Sequence, residues 1–188
     1  MMNVPNTLTL LRIFMIPVFV LVFYLPFKWN YLVACLIFSL AALTDLLDGY
    51  LARKLDQAST LGAFLDPVAD KLMVVVALVL LVQKDPRILL VLPAVVIIGR
   101  EITVSALREW MAALGARSKV AVSVYGKIKT IAQMVALIFL IFRERVVGIP
   151  VYEIGLVLLY LAAVLTLVSL FQYLISAWPK LRETAGKQ

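Results

Sequence analysis

The chain has 188 residues, 64% of them hydrophobic and 15% charged, with a mean hydropathy of +1.04. A soluble domain is about 45–50% apolar, so this composition excludes a soluble globular enzyme, a disordered tail and a fibrous repeat, and predicts an all-α polytopic membrane protein. The net charge of +7 reads as cytoplasmic loops and contacts with anionic membrane lipid, not nucleic acid.

At about 20 residues per span the chain can pass a bilayer about six times. The apolar segments fall near 8–26, 31–53, 61–83, 88–113, 119–142 and 151–178, one membrane domain over 1–188. Pro5-Asn6-Thr7 starts the first helix, with Asn6 or Thr7 as cap. Residues 1–7 carry no Lys or Arg, so this helix, which contains Arg12, is expected to be retained and not cleaved as a signal peptide. Helix 2 carries Asp45 and Asp48 near its end, and helix 3 carries Asp66 and Asp70 near its start. Helix 4 holds Arg100, Glu101 and Arg108 toward its end. Helix 5 opens with Lys119, Lys127 and Lys129. Six passes put both termini on one side. Lys and Arg outside or at the ends of the spans number eight on the terminal side and five on the other, which predicts cytoplasmic termini.

No histidine and a single cysteine, Cys35, exclude Ser-His and Cys-His catalysis, histidine metal sites and an intrachain disulfide. Chemistry is left to carboxylates, Lys, Arg and hydroxyls. Ten charged residues lie within the apolar segments: Arg12, Asp45, Asp48, Asp66, Asp70, Lys71, Arg100, Glu101, Lys127 and Lys129. Each costs about 2.5–3.5 kcal/mol at a helix centre, so such groups mark function by default. In a six-pass topology they share the terminal half of the membrane, which predicts one polar cavity opening to the cytoplasm.

The four aspartates have helical spacing. Asp45 and Asp48 are i,i+3, and Asp66 and Asp70 are i,i+4, so each pair shares a face. A short connection predicts that helices 2 and 3 are antiparallel neighbours whose four carboxylates converge. Four anions at low dielectric repel unless they are protonated or metal-bound. An all-oxygen site suits Mg²⁺ or Mn²⁺, and two such ions can clamp phosphate oxygens in an in-line displacement. Gly49, Ala52 and Gly62 leave room for a ligand beside these helices, or serve helix packing.

Asp45-x2-Asp48-Gly49-x2-Ala52-Arg53-x8-Gly62-x3-Asp66-x3-Asp70 resembles the signature of the CDP-alcohol phosphotransferases, with every signature position present at the family's spacing. The opening Pro5 to Arg12, Gly62 to Lys71, Arg100-Glu101 through Arg108-Glu109-Trp110, and Gly126 to Thr130 with Gln133 are similar to the bacterial members that use glycerol phosphate. The resemblance implies a six-helix homodimer of the bacterial inner membrane. It implies transfer of a phosphatidyl group from CDP-diacylglycerol to sn-glycerol 3-phosphate with release of CMP, on the way to phosphatidylglycerol and cardiolipin. It also implies that Asp45, Asp48 and Asp66 hold one metal ion, that Asp66 and Asp70 serve a second, and that Asp70 is the general base. Gly49, Ala52 and Arg53 line the cytidine and phosphate region on the same grounds, together with Asp48, Gly62 and Asn6; Arg12 either joins them or snorkels to lipid headgroups. For the acceptor phosphate, Arg100 and Arg108 lie eight residues and about 12 Å apart on a related face. Lys119 and Lys127 flank Ser123 in an i,i+4,i+8 stripe, with Lys129 turned elsewhere. Another acceptor, such as serine or inositol phosphate, or a divalent-cation transporter, are the alternatives. The absence of a broken inverted repeat speaks against transport.

Overall fold

The computed structural model describes residues 4–54, 60–113, 124–144 and 148–185. Six helices form among them: α1 Val4–Tyr24, α2 Asn30–Lys54, α3 Thr60–Lys84, α4 Ile88–Ala113, α5 Val124–Phe142 and α6 Val151–Ala185. Stretches of α1, α4 and α6 are long and apolar enough to cross a membrane by themselves: Asn6–Tyr24, Ile88–Ala112 and Val151–Ile175. Charged residues interrupt α2, α3 and α5, yet even the 19 residues of α5 reach about 28 Å at 1.5 Å per residue. Outward-facing side chains are apolar, with Phe14, Leu21, Ile88 and Val157 each about two-thirds exposed or more, as expected where the surroundings are lipid.

Local chemistry fixes the helix ends. Asn30 Oδ1 accepts the Tyr31 amide at 2.9 Å where α2 begins. Pro150 precedes α6, and Glu153 sits in its first turn, where a negative charge meets the helix dipole favourably. The α1 helix starts at Val4, earlier than hydropathy suggests, because Asn6 and Thr9 are buried inside the bundle. The α6 helix runs on to Ala185, past its apolar stretch.

Phe19, Phe23 and Phe38 pack as tilted rings about 6 Å apart and fill the space between α1 and α2. Leu78 and Leu81 of α3, Leu90 and Ile97 of α4, Leu137 and Leu140 of α5 and Leu159 of α6 complete the core. Among the described residues, α5 and α6 pack together most extensively. A methyl group at Gly155 would lie 3.0 Å from Leu140 Cγ and Phe139 Cβ and 3.2 Å from the Ala136 carbonyl oxygen. Packing of this kind holds helices together where lipid removes the hydrophobic drive.

One expectation is modified. The described residues of α2 and α3 touch each other little, and each helix packs mainly on α1. The physical reason lies in the charges: α1 brings Arg12 between the carboxylates of its two neighbours.

At the end of the bundle where α3 meets α4, Asp85 is buried and ties the loops together. It accepts from Arg87 Nε at 2.8 Å and Nη2 at 2.7 Å, and from the Tyr152 hydroxyl of α6. These bonds, those from Arg87 first, hold the Asp85 carboxyl well below the usual carboxylate range and raise the Arg87 guanidinium. Arg143, with φ 60° at the end of α5, stands 5.1 Å from the centre of the Tyr152 ring.

Candidate functional site

The polar end of the bundle is built on α1. Asn6, Thr9 and Arg12 are buried on this helix, at 3%, 0% and 1% exposure. Arg12 Nη1 donates to Asp70 Oδ1 of α3 and lies 3.3 Å from Asp45 Oδ1 of α2. Thr9 donates its hydroxyl to Asp66 Oδ1. One helix thus gathers three carboxylates from two others. Arg12 does not snorkel; its guanidinium sits inside the protein and supplies the positive charge that the carboxylates require.

A cavity of about 230 Å³ opens beside this cluster. Asp45 of α2, Asp70 and Lys71 of α3, Arg100 and Glu101 of α4, and Lys129, Thr130 and Gln133 of α5 line it, with Val74 and Met134 as apolar wall. Glu101 Oε1 accepts from Arg100 Nη1 at 2.6 Å and from the buried Lys129 Nζ at 3.3 Å. Arg100 Nη2 donates to Ser169 of α6 at 3.1 Å. Lys71 Nζ donates to Ser105 Oγ, and Ser105 passes its own hydrogen to the Glu101 carbonyl at 2.6 Å. A second cavity of about 290 Å³ adjoins the first through Asp45, Thr130 and Met134. Its other walls are mostly apolar: Ala42 and Leu43 of α2 with Ile131, Val135 and Ile138 of α5.

Asp45, Asp70 and Arg100 therefore share one chamber, with Asp66 joined to it through Thr9 and α1. Gly62 is buried in the first turn of α3. Arg108 does not line the chamber. Its Nε donates to the Tyr173 hydroxyl at 3.0 Å, and its guanidinium stands 5.3 Å from that ring's centre, with the side chain exposed. Asp48, Gly49, Ala52 and Arg53 belong to α2, and Lys127 to α5, but their surroundings lie outside the described residues, as does Lys119 altogether. Lys129, which helical spacing turned away from the Lys119 and Lys127 stripe, lines the chamber and is buried. Sequence reasoning gave no role to Thr9 or Ser105, and counted Lys71 only among the intramembrane charges and the resemblance, and Gln133 only in the resemblance. The signal for Thr9 was its i,i+3 spacing from both Asn6 and Arg12, a polar face on an otherwise apolar helix.

The donors fit a hard divalent cation: they are carboxylate oxygens only, with neither thiolate nor imidazole nearby. Among the described residues no three acidic or thiol side chains gather closely enough to hold a metal by themselves. The surroundings of Asp48, the remaining aspartate of the motif, are not among them.

A model of the CDP-alcohol phosphatidyltransferase family matches residues 2–168. The chain is 53% identical over its whole length to a protein from Pseudomonas fluorescens, covering 96% of that relative. It is 56% identical to one from Sodalis glossinidius over 94% of the chain and 95% of the relative. It is 54% identical to one from Salmonella paratyphi A over 93% and 94%. All three bear the name CDP-diacylglycerol–glycerol-3-phosphate 3-phosphatidyltransferase.

Proposed function

The chain belongs to the CDP-alcohol phosphatidyltransferase family, and on that premise we propose that it transfers the phosphatidyl group of CDP-diacylglycerol to sn-glycerol 3-phosphate, giving phosphatidylglycerophosphate and CMP. The observation that carries this reading is a single chamber lined both by the carboxylates Asp45 and Asp70 and by the cations Lys71, Arg100 and Lys129. Two anionic substrates must meet for this reaction. The carboxylates suit the pyrophosphate with its counter-ions and the cations the acceptor phosphate. The adjoining apolar cavity between α2 and α5 suits an acyl chain entering from the bilayer beside Asp45.

Asp45, Asp48, Asp66 and Asp70 would hold two ions, Mg²⁺ or Mn²⁺. Bound there, the ions neutralise the pyrophosphate oxygens and the charge that builds on the departing CMP. Thr9 orients Asp66, and Arg12 orients Asp45 and Asp70. Asp70 takes the proton of the acceptor's C1 hydroxyl as that oxygen attacks the lipid-side phosphorus. The bond from this phosphorus to the bridging pyrophosphate oxygen breaks, and CMP leaves. Gly49, Ala52 and Arg53, with Asn6 and Gly62, border the nucleotide. Lys71, Arg100 and Lys129 hold the acceptor phosphate by charge, the arginine also by its two-pronged donor geometry. Lys119 and Lys127 extend this positive wall. The site faces the cytoplasm of a bacterial inner membrane, and the protein acts as a homodimer.

CMP release measured with defined acceptors tests the reading. Glycerol 3-phosphate should support turnover, and serine, inositol and free glycerol should not; turnover with serine as fast as with glycerol 3-phosphate would reduce the assignment to the family alone. Chelation should stop release, and Mg²⁺ or Mn²⁺ should restore it.

A further inference from the structure

A carboxylate is out of place in a pocket that must attract a phosphate. The chamber is lined by three cations, Lys71, Arg100 and Lys129, and three carboxylates; Asp45 and Asp70 are paired with Arg12, which leaves Glu101 as the one carboxylate set among the cations. The three cations can still hold a phosphate monoester dianion, but a neutral residue at position 101 would let them attract it more strongly. Glu101 is nevertheless held firmly. Its Oε1 takes both Arg100 and Lys129. Its backbone carbonyl takes the Ser105 hydroxyl, which in turn is fixed by Lys71. Among the described residues no contact falls on Oε2, although the side chain lines the cavity and is 19% exposed.

Building on the function proposed above, we propose that Glu101 determines acceptor specificity by accepting a hydrogen bond from the C2 hydroxyl of the three-carbon acceptor. With the C1 hydroxyl at Asp70 and the phosphate at Arg100 and Lys129, C2 lies between, within the chamber that Glu101 lines. A hydroxyl that gives up its water there needs an acceptor. Thr130 and Gln133 also line the chamber, but each has both donor and acceptor groups and can satisfy a carbonyl as readily as a hydroxyl. An ionised carboxylate only accepts. Glu101 therefore distinguishes a C2 hydroxyl from a C2 carbonyl, whose lone pairs it repels, and from a C2 methylene, which leaves it unpaired.

The test crosses the residue with the substrate group it reads. Purified protein is assayed for CMP release with sn-glycerol 3-phosphate, with dihydroxyacetone phosphate and with 3-hydroxypropyl phosphate, which lacks only the C2 hydroxyl. The wild type should prefer glycerol 3-phosphate over the deoxy acceptor on the order of 10⁴-fold in kcat/KM, the lower end of the range seen when a site loses a hydroxyl it was built to bind. Glu101→Gln, which keeps the shape but loses the charge, should lower that preference at least about tenfold. Glu101→Ala should bring it close to unity; if that variant does not fold, the glutamine variant carries the test. An unchanged preference in Glu101→Gln, with all acceptors slowed alike, would show that Glu101 only positions Arg100 and Lys129, and would overturn the inference. Equal use of the hydroxyl and deoxy acceptors by the wild type overturns this inference alone. Absence of CMP release with every phosphate acceptor overturns the acceptor assignment and the inference with it.

Discussion

Arg12 is 1% exposed and bonded to carboxylates from two different helices. Removing one partner of a buried charge cluster leaves the others uncompensated, at a cost of about 3–5 kcal/mol when all are buried. Asp45 and Asp70 are about one-third exposed, so the lower end of that range applies. Arg12→Ala should therefore lower kcat/KM at least about 100-fold and lower the melting temperature in detergent. Arg12→Lys should fall between, because an ammonium keeps the charge but cannot reach two carboxylates with a rigid fork. A wild-type rate in Arg12→Ala would reduce the residue to a packing role. Asp→Asn at Asp45, Asp66 or Asp70 should each cost orders of magnitude in CMP release, and a fully active Asp70→Asn would remove it as the base. The aspartates were legible in the sequence because their spacing lies within single helices. Lys129 was not. A helical wheel gives the angle between two residues of one helix but not how that helix is rotated in the bundle. Packing of α5 on α6 and α2 fixes the rotation, and Glu101 of α4 then supplies the partner.

Two contacts between elements can be tested separately from the chemistry. Gly155 lets α6 approach α5 until a methyl group would meet Leu140, Phe139 and the Ala136 carbonyl at 3.0–3.2 Å. Gly155→Val should force the helices apart and cost about 1–3 kcal/mol, the range for overpacking, visible as a lower melting temperature with little change in acceptor preference. At the other end, Asp85 joins the α3–α4 connection to Tyr152 of α6. Its carboxyl titrates below the ordinary range when folded, so its stabilisation is complete above the unfolded value near pH 4. That stabilisation is lost as pH falls through the lowered folded value. Asp85→Asn should melt below the wild type at neutral pH, and the gap should narrow only in buffers more acidic than about pH 4. A gap that stays constant down to pH 3 would assign the effect to shape rather than charge. The number of helices was legible from hydropathy, because an apolar segment of about 20 residues satisfies its own backbone in lipid only as a helix. Which helices pack most closely was not: chain order suggested an α2–α3 pair, and both pack mainly on α1, whose Arg12 joins their carboxylates.

The polar chamber occupies the half of the bundle that contains the start of α1 and the later part of α6, joined through Arg12, Arg100 and Ser169. Eight basic residues on that side against five on the other favour a cytoplasmic location. A reporter active only in the periplasm, fused after Gln188, should stay silent; strong activity would invert the orientation and put the chamber out of reach of cytoplasmic substrates. Arg12 also bears on how the molecule is made. The α1 helix leaves the ribosome before α2 and α3, so its guanidinium is already in the bilayer when their carboxylates arrive. Each carboxylate integrating alone would face about 2.5–3.5 kcal/mol at the membrane centre. The first helix is thus a counter-charge laid down in advance, and biogenesis, not turnover alone, depends on it: cells expressing Arg12→Ala should accumulate less membrane-integrated protein, with quality-control proteolysis removing chains whose second and third helices hesitate at the translocon.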